Sequence, residues 1–391
     1  MKTVKNIFGQ ICDFNNVEGA YWRASSCKHT YPEFMRFEKN RYSNLVNIMD
    51  EVQDMTYKVG DYSYFVVFEP KRREIMKLPA KDRIVQHMWY SIVNPIIDTK
   101  LYDHTYACRR NYGLHKCSET LHSWIYKECI INGKKMWAIK GDIKSYFKTI
   151  DHNILKNQIM RFIGDNKALD LTFKFIDSNG NLPNGVGIPV GNLTSQLFAN
   201  IYGNILDEFV KHELRCEYYA RYMDDFAIAL DDYHSLESIL IEIAQFMFEN
   251  MRMTLNPKTT IVYINNNGLD FIGFRHFPEY TIPRKSSYKR LCRFTDLYIN
   301  GYVSQEDFHK SFPSRTGHLI HADSYQFIAR LQNEINEAFI DENIDVLQSL
   351  HKDSNNSQPK VSRRNMPYKN EFLYNAPSST DIKIVSPVIF T

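Results

Sequence analysis

Three aspartates stand where their chemistry can be read from type and spacing. Two are adjacent, Asp224 and Asp225, inside "EYYARYMDDFAIALDD" at positions 217–232. Tyr218, Ala220 and Tyr222 alternate with smaller or polar residues before them, and Phe226, Ile228 and Leu230 do so after them. Period-two runs broken by a two-residue polar step predict a β-hairpin with the two carboxylates at its tip. An Asp-Asp tip alone is also ordinary turn composition. The third aspartate gives the pair its weight. Asp142 stands just past "MWAI" (136–139), a short apolar run that predicts a strand. After it, "DHNILKNQIMRFI" (151–163) predicts a helix with Asp151 as N-cap and Ile154, Leu155, Ile159 and Phe162 facing inward. Neighbouring carboxylates repel one another and stay ionised together when a divalent cation is present. Oxygen ligands with no His or Cys beside them favour Mg²⁺ over zinc. Two such ions about 3.5 to 4 Å apart can activate a 3′-hydroxyl and hold a triphosphate for in-line displacement. That chemistry is nucleotidyl transfer.

The elements that must position these groups follow from the pattern around them. Between the carboxylate segments lies "GVGIPVGNLTSQLFANIYGNILDEFVKHEL" (185–214). Its glycine loop leads into a helix with Leu197, Ile201, Ile205 and Phe209 on one stripe, which reads as core. Gly191 is the loop position where a backbone without a side chain would let a flat base pair approach. The chain has 391 residues, enough for two or three domains, and at 43% hydrophobic and 14% aromatic it can bury a sizeable core. Residues 1–60 read as a helical region, 61–135 as a mixed segment and 136–280 as alternating strands and helices. Residues 281–347 read as helical again, and 348–391 as an extension ending in the strand-like "DIKIVSPVIF". Net charge is only +3, but 69–83 and 284–294 are locally basic. Basic runs interleaved with Tyr and Phe suit a polyphosphate chain whose bases can stack, although a solvated helix face has the same composition. The seven cysteines form no CxxC pair, which points to a reducing compartment without a disulfide frame or zinc site. The first residues lack the apolar run of a signal peptide, and no run approaches the ~20 apolar residues of a membrane span. A soluble cytoplasmic protein with no membrane partner is expected.

In order and wording these motifs resemble those of reverse transcriptases. Asp142 matches motif A, "IPVGNLTSQLFANI" motif B and "YMDD" motif C; "LNPKTT" (255–260) is similar to motif D and "GLDFIGFRH" (268–276) to the primer-grip hairpin. "KLPAKDRIVQH" (77–87) is similar to a fingers motif of group II intron enzymes. "HTYACRRNYGLHK" (104–116), "IPVGNLTSQLFANIY" and "GHLIHADSY" (317–325) resemble in particular the reverse transcriptases of diversity-generating retroelements. The resemblance implies an α+β right-hand polymerase fold of fingers, palm and thumb, with an antiparallel palm sheet backed by helices. It assigns 61–135 to fingers, 136–280 to palm with fingers elements interleaved at about 156–195, and 281–347 to thumb. It implies Asp142, Asp224 and Asp225 as catalytic carboxylates, with Asp142, Asp224 and the backbone of Ile143 as metal ligands. Two Mg²⁺ ions are implied, with Mn²⁺ as a substitute. Lys258 is implied as proton donor to pyrophosphate, and Phe147 as the steric gate against a ribose 2′-hydroxyl. Lys71, Arg72, Arg73, Val190, Gly191 and Gln196 are implied at the dNTP. Arg109, Lys116, Phe271, Gly273, Lys285, Lys289, Arg290 and Arg293 are implied along template and primer. Many relatives carry Gln where this chain has Val190; an aliphatic residue there is linked to error-prone copying. The implied partners are dNTPs, a structured non-coding or template RNA and the cDNA product, with an accessory protein or a second copy as further candidates. "RRNYGLH" departs from the lysine-rich retroelement pattern, and the chain runs well beyond "HADSY". A role in phage defence, with untemplated or protein-primed synthesis, therefore stays open beside diversification. An RNA-binding scaffold is the rival of another class, and the three clustered carboxylates speak against it.

Overall fold

The computed structural model describes residues 3–68, 72–178 and 180–338. Lys71 and the 348–391 extension lie outside them. Contacts divide the chain into two compact units, one running to Asn267 and the other beginning at Gly268. The hairpin segment 268–276 thus belongs with the second unit, although the sequence pattern assigns it to a segment ending at 280.

The first unit opens with helices α1 (Phe8–Ile11), α2 (Phe14–Ser25), α3 (Pro32–Glu38) and α4 (Arg41–Gln53). Strands β1 (Ser63–Val67) and β2 (Arg73–Lys77) form a separate antiparallel ribbon, followed by α5 (Ala80–Asp98) and α6 (Leu114–Tyr126). The sheet strands are β3 (Trp137–Asp142), β4 (Tyr218–Tyr222), β5 (Asp225–Leu230) and β6 (Thr260–Tyr263). Between them run α7 (Tyr146–Thr149), α8 (His152–Met160), α9 (Asn166–Asp177), α10 (Leu193–Glu208) and α11 (Tyr233–Met251), and α12 (Ile264–Asn267) closes the unit. Side-chain caps start several helices: Asp13, Asp151, Asp165 and Asp232 each accept backbone N–H groups of the first turn of α2, α8, α9 and α11.

The sheet has the order β4-β5-β3-β6 with every pair antiparallel. β5 is therefore central, and Phe226, Ala227, Ile228 and Ala229 are all buried. What reads in sequence as one apolar face and one open face is a large/small alternation buried on both sides. The large side needs room. A Cβ on Gly141 would lie 2.1 Å from the Phe226 ring that faces it across the β3–β5 ladder. α10 is likewise buried nearly all round, from Thr194 to Asp207. The expected stripe proves only part of its contact surface, because the helix runs through the core rather than along it.

The second unit carries the antiparallel sheet β7 (Leu269–Phe271), β8 (Phe274–His276) and β9 (Thr281–Pro283). Helices α13 (Lys285–Ile299), α14 (Gln305–Gly317) and α15 (Tyr325–Ala338) follow. Their core gathers Leu291, Tyr298, Phe308, Phe312, Leu319, Ile328, Leu331 and Ile335. No described helix is long and apolar enough to cross a membrane.

Candidate active site

The β3–β5 ladder sets Asp142 directly opposite Asp225. Asp142 is the last residue of its strand rather than a residue beyond it. The hairpin turn is Met223–Asp224, since Tyr222 pairs with Asp225. The tip is thus one aspartate and a methionine, not the two aspartates the alternation predicts; Asp225 is already in the ladder. The Asp224 carbonyl accepts the Ile143 N–H at 3.1 Å, so motif C is tied to the residue after Asp142. Register alone brings the three carboxylates to one sheet edge, each half-buried.

The turn is strained and braced. Met223 sits at φ 61°, a left-handed conformation that costs a non-glycine residue roughly 1–2 kcal/mol. Arg221 Nη1 donates to its carbonyl at 3.0 Å. The same guanidinium grips Asp207 with two bonds of 2.7 Å, and both side chains are 0% exposed. Asp207 also accepts from the Tyr219 hydroxyl at 2.6 Å and the Thr105 hydroxyl at 2.9 Å. Burial pulls the Arg221 pKa down, but Asp207 outweighs it and the net shift is upward. Burial and then Asp207 push the Tyr219 phenol well up. The network is fully ionised at Arg221 and neutral at Tyr219. A Cβ on Gly203 would meet Arg221 Nη1 at 2.4 Å, so α10 leaves the space the guanidinium fills. Sequence reasoning missed this pair: an arginine in an alternating strand reads as its wet face.

Asp142 has its own brace. Asn256 Nδ2 donates to Asp142 Oδ2 at 2.8 Å, and the Asn256 N–H donates to the Asp142 carbonyl at 2.7 Å. Ile143 bridges Leu255 and is buried. Lys258 is exposed two residues on, its N–H capped by Asn256 Oδ1. Asn256 went unnoticed although it lies in the run singled out for its lysine.

The nucleotide-side candidates gather from separate elements. Phe147 is half-buried, and its carbonyl accepts the Ile188 N–H at 2.9 Å, which lays the glycine loop beside it. The Val190 carbonyl accepts the Met76 N–H at 2.9 Å. Gly191 has φ 124°, and a Cβ there would lie 2.5 Å from the Met76 carbonyl oxygen. Its missing side chain thus admits the backbone of β2, rather than a base pair as the sequence suggests. Gln196, Arg72 and Arg73 are exposed. Lys71 is outside the described residues.

Two template candidates are corrected. Arg109 is 4% exposed at its side chain, paired with Asp98 at 2.7 Å and bonded to the carbonyls of Asp98, Tyr102 and Thr105. Four of its five N–H donors serve to fix the loop after α5, and a side chain that buried offers little to a nucleic acid. Phe271 is 1% exposed in β7 and packs as core. Gly273, at φ 91°, forms the tip of that hairpin with Ile272. Lys116 is exposed and lies over the Tyr112 ring. Lys285, Lys289, Arg290 and Arg293 are exposed on α13.

Among the described residues no three Asp, Glu, His or Cys side chains converge as a ready cage. Mg²⁺ is ordinarily held by one or two carboxylates, with waters and substrate phosphates completing its octahedron. An all-oxygen edge of Asp142, Asp224 and Asp225 fits an ion that arrives with a triphosphate.

A reverse transcriptase (RNA-dependent DNA polymerase) family profile matches residues 70–276, over half of the chain, and includes every motif from the glycine loop to the YMDD turn. The chain belongs to the reverse transcriptase family. Among its relatives are Protein YkfC of Escherichia coli K12, 26% identical over 51% of this chain and 61% of that protein, and the COX1/OXI3 intron 2 protein of Saccharomyces cerevisiae, 24% identical over 48% of this chain and 31% of that one. The group II intron-encoded protein LtrA of Lactococcus lactis is 26% identical over 46% of this chain and 33% of its own length. The chain thus spans from about a third to three fifths of the length of these three relatives.

Proposed function

We propose that this reverse transcriptase is an active RNA-directed DNA polymerase that uses dNTPs. The register that sets Asp142 across from Asp225, with Asp224 in the adjoining turn, carries the reading. The primer's 3′-hydroxyl gives its proton to water, its oxygen attacks the α-phosphorus, the bond from that phosphorus to the α,β-bridging oxygen breaks, and pyrophosphate leaves. Two divalent cations, Mg²⁺ or in its place Mn²⁺, held by Asp142, Asp224 and the Ile143 carbonyl, would supply the charge that stabilises both the attacking and the leaving oxygen. The chain's own residues orient that edge: Arg221 fixes the turn, and Asn256 fixes Asp142. Lys258, exposed at the end of the same loop, gives its proton to pyrophosphate. Arg72, Arg73 and Lys71 neutralise the triphosphate. Phe147 excludes the 2′-hydroxyl, and Val190 borders the nascent pair, with Gly191 seating the loop against β2.

Within that activity the template is a structured RNA from the protein's own locus, copied in a retroelement of the diversity-generating kind. The runs 104–116 and 317–325 support that role, and the departure of 109–115 from the lysine-rich retroelement pattern leaves a defence role as the second reading. Sequencing the RNA and cDNA that copurify decides between them: a variable-repeat template favours the first, and a fixed non-coding RNA with untemplated or protein-linked DNA favours the second.

Primer extension on an RNA template tests the activity itself. Asp224→Ala is expected to lower incorporation by roughly a hundredfold or more, the scale on which a lost electrostatic contribution to the transition state acts. The melting temperature should stay near wild type, because Asp224 sits half-buried in a turn. Substantial extension by the variant would remove the carboxylate edge from the chemistry.

A further inference from the structure

Away from the carboxylate edge, the first unit has a surface cavity of about 490 Å³ that is open to solvent over most of its extent. Trp22 and Arg23 of α2, Ser26 just beyond it, His87 and Tyr90 of α5, and Leu193 at the start of α10 line it. Its volume falls in the range of ligand pockets, roughly 300–1,000 Å³. The mouth carries an indole that is 46% exposed. A tryptophan left that far in water forgoes nearly half of what its burial would contribute. The Arg41 guanidinium, 5.0 Å from the ring, and the edge of Tyr21 hold it in place.

The polar groups inside are idle. Neither ring nitrogen of His87 nor the Tyr90 hydroxyl has a hydrogen-bond partner among the described residues. Burial, then the cations Arg23, Lys28 and Arg83, lower the His87 pKa to about 4. At neutral pH its imidazole therefore offers one donor and one bare acceptor, the pairing a base edge needs. Arg83 is already paired with Glu33. Arg23 and Lys28 have no carboxylate partner among the described residues.

We propose that this cavity takes one unpaired nucleobase of an RNA strand, stacked on Trp22 and hydrogen-bonded by His87 and Tyr90, with the flanking phosphates at Arg23 and Lys28. Aromatic faces joined to cations are the usual means of holding single strands. The open mouth lets a chain enter and leave. Two cations suit the two phosphates that flank one base and are too few for a free triphosphate. Leu193 lies two residues beyond Gly191, so a strand in the cavity passes close to the glycine loop. The inference rests on the reading that this chain copies RNA.

Fluorescence anisotropy with a short, unstructured labelled RNA, without dNTPs, tests it. Trp22→Ala should weaken binding about five- to a hundredfold, the range for removing one base–aromatic stack. Trp22→Phe should restore most of it, and His87→Ala should weaken it less. On the same oligonucleotide made abasic, wild type and Trp22→Ala should bind alike. Equal affinity of the Trp22→Ala and wild-type proteins for intact RNA would overturn the proposal. So would an equal loss on abasic RNA, which would make Trp22 merely structural. AMP that displaces RNA at concentrations matching the RNA's own affinity would make the cavity a mononucleotide site instead. A wild type that binds RNA with this signature but extends no primer would defeat the polymerase reading and leave the cavity's role standing.

Discussion

Arg221 donates to the Met223 carbonyl while its fork closes on Asp207, and neither side chain reaches solvent. A buried ion pair is weak evidence for net stability, because desolvation offsets most of the attraction, yet breaking one strands a charge and costs about 3–5 kcal/mol. Arg221→Ala should therefore lower the melting temperature sharply. The informative variant replaces both partners, Arg221→Met with Asp207→Leu. It should recover part of the melting temperature; the Tyr219 and Thr105 hydroxyls, having lost their acceptor, keep it from full recovery. Primer extension should stay depressed, since the turn at φ 61° has lost the donor that holds it. Full extension by the double variant would show that the Asp224 turn holds itself. Val190 makes the opposite case. Its backbone contact to Met76 survives any side chain. Val190→Gln adds a donor worth roughly 0.5–1.5 kcal/mol, or about two- to thirteenfold in discrimination if it acts wholly on the correct pair. Sequencing of products copied from one RNA template should show fewer misincorporations by the variant. Equal error spectra at comparable extension rates would place fidelity elsewhere.

The elements were legible where the chain's local chemistry decides them. Asp151 as an N-cap, the strand leading to Asp142 and the hairpin around Asp224 all follow from capping and alternation within a few residues. What stayed hidden depends on partners far along the chain. Asp207 and Arg221 come from a helix and a strand that no spacing rule joins, and Asn256 meets Asp142 across 114 residues. Arg109 is among the template contacts that the family resemblance implies; its partners Asp98 and Tyr102 carry no pattern that announces them. The glycine loop falls between the two cases. Gly191 was legible as a point of close approach, but what approaches is the β2 backbone. Gly191→Ala combines a positive φ with a 2.5 Å clash against the Met76 carbonyl, so β2 must shift. Arg73 begins that strand, and Arg72 precedes it. The expected outcome is a fall in dNTP incorporation together with faster hydrogen exchange at the Met76 amide. A variant that keeps both at wild-type values would show the loop and strand to be independent.

Over the whole molecule the charge is nearly balanced at +3, so grip on a polyanion must come from local patches. α13 supplies one within the second unit. At about 100° per residue, Lys285, Lys289, Arg290 and Arg293 fall within one arc, and Leu291, Thr295 and Tyr298 on the other side are buried. The acidic groups of that helix reduce to Asp296, one turn beyond the cluster. A solvated face would show the same exposure, so geometry alone does not decide whether RNA lies there. Salt dependence does. Each phosphate contact contributes about 0.7 to 0.9 to the slope of log affinity against log salt, the lower figure for single strands. Replacing all four by Gln should flatten the slope by up to about 3 and weaken RNA binding most at low salt. The substitutions spare the helix's buried side and use a good helix former, so the melting temperature should hold. An unchanged slope with an intact fold would mean that these four charges only keep α13 in water.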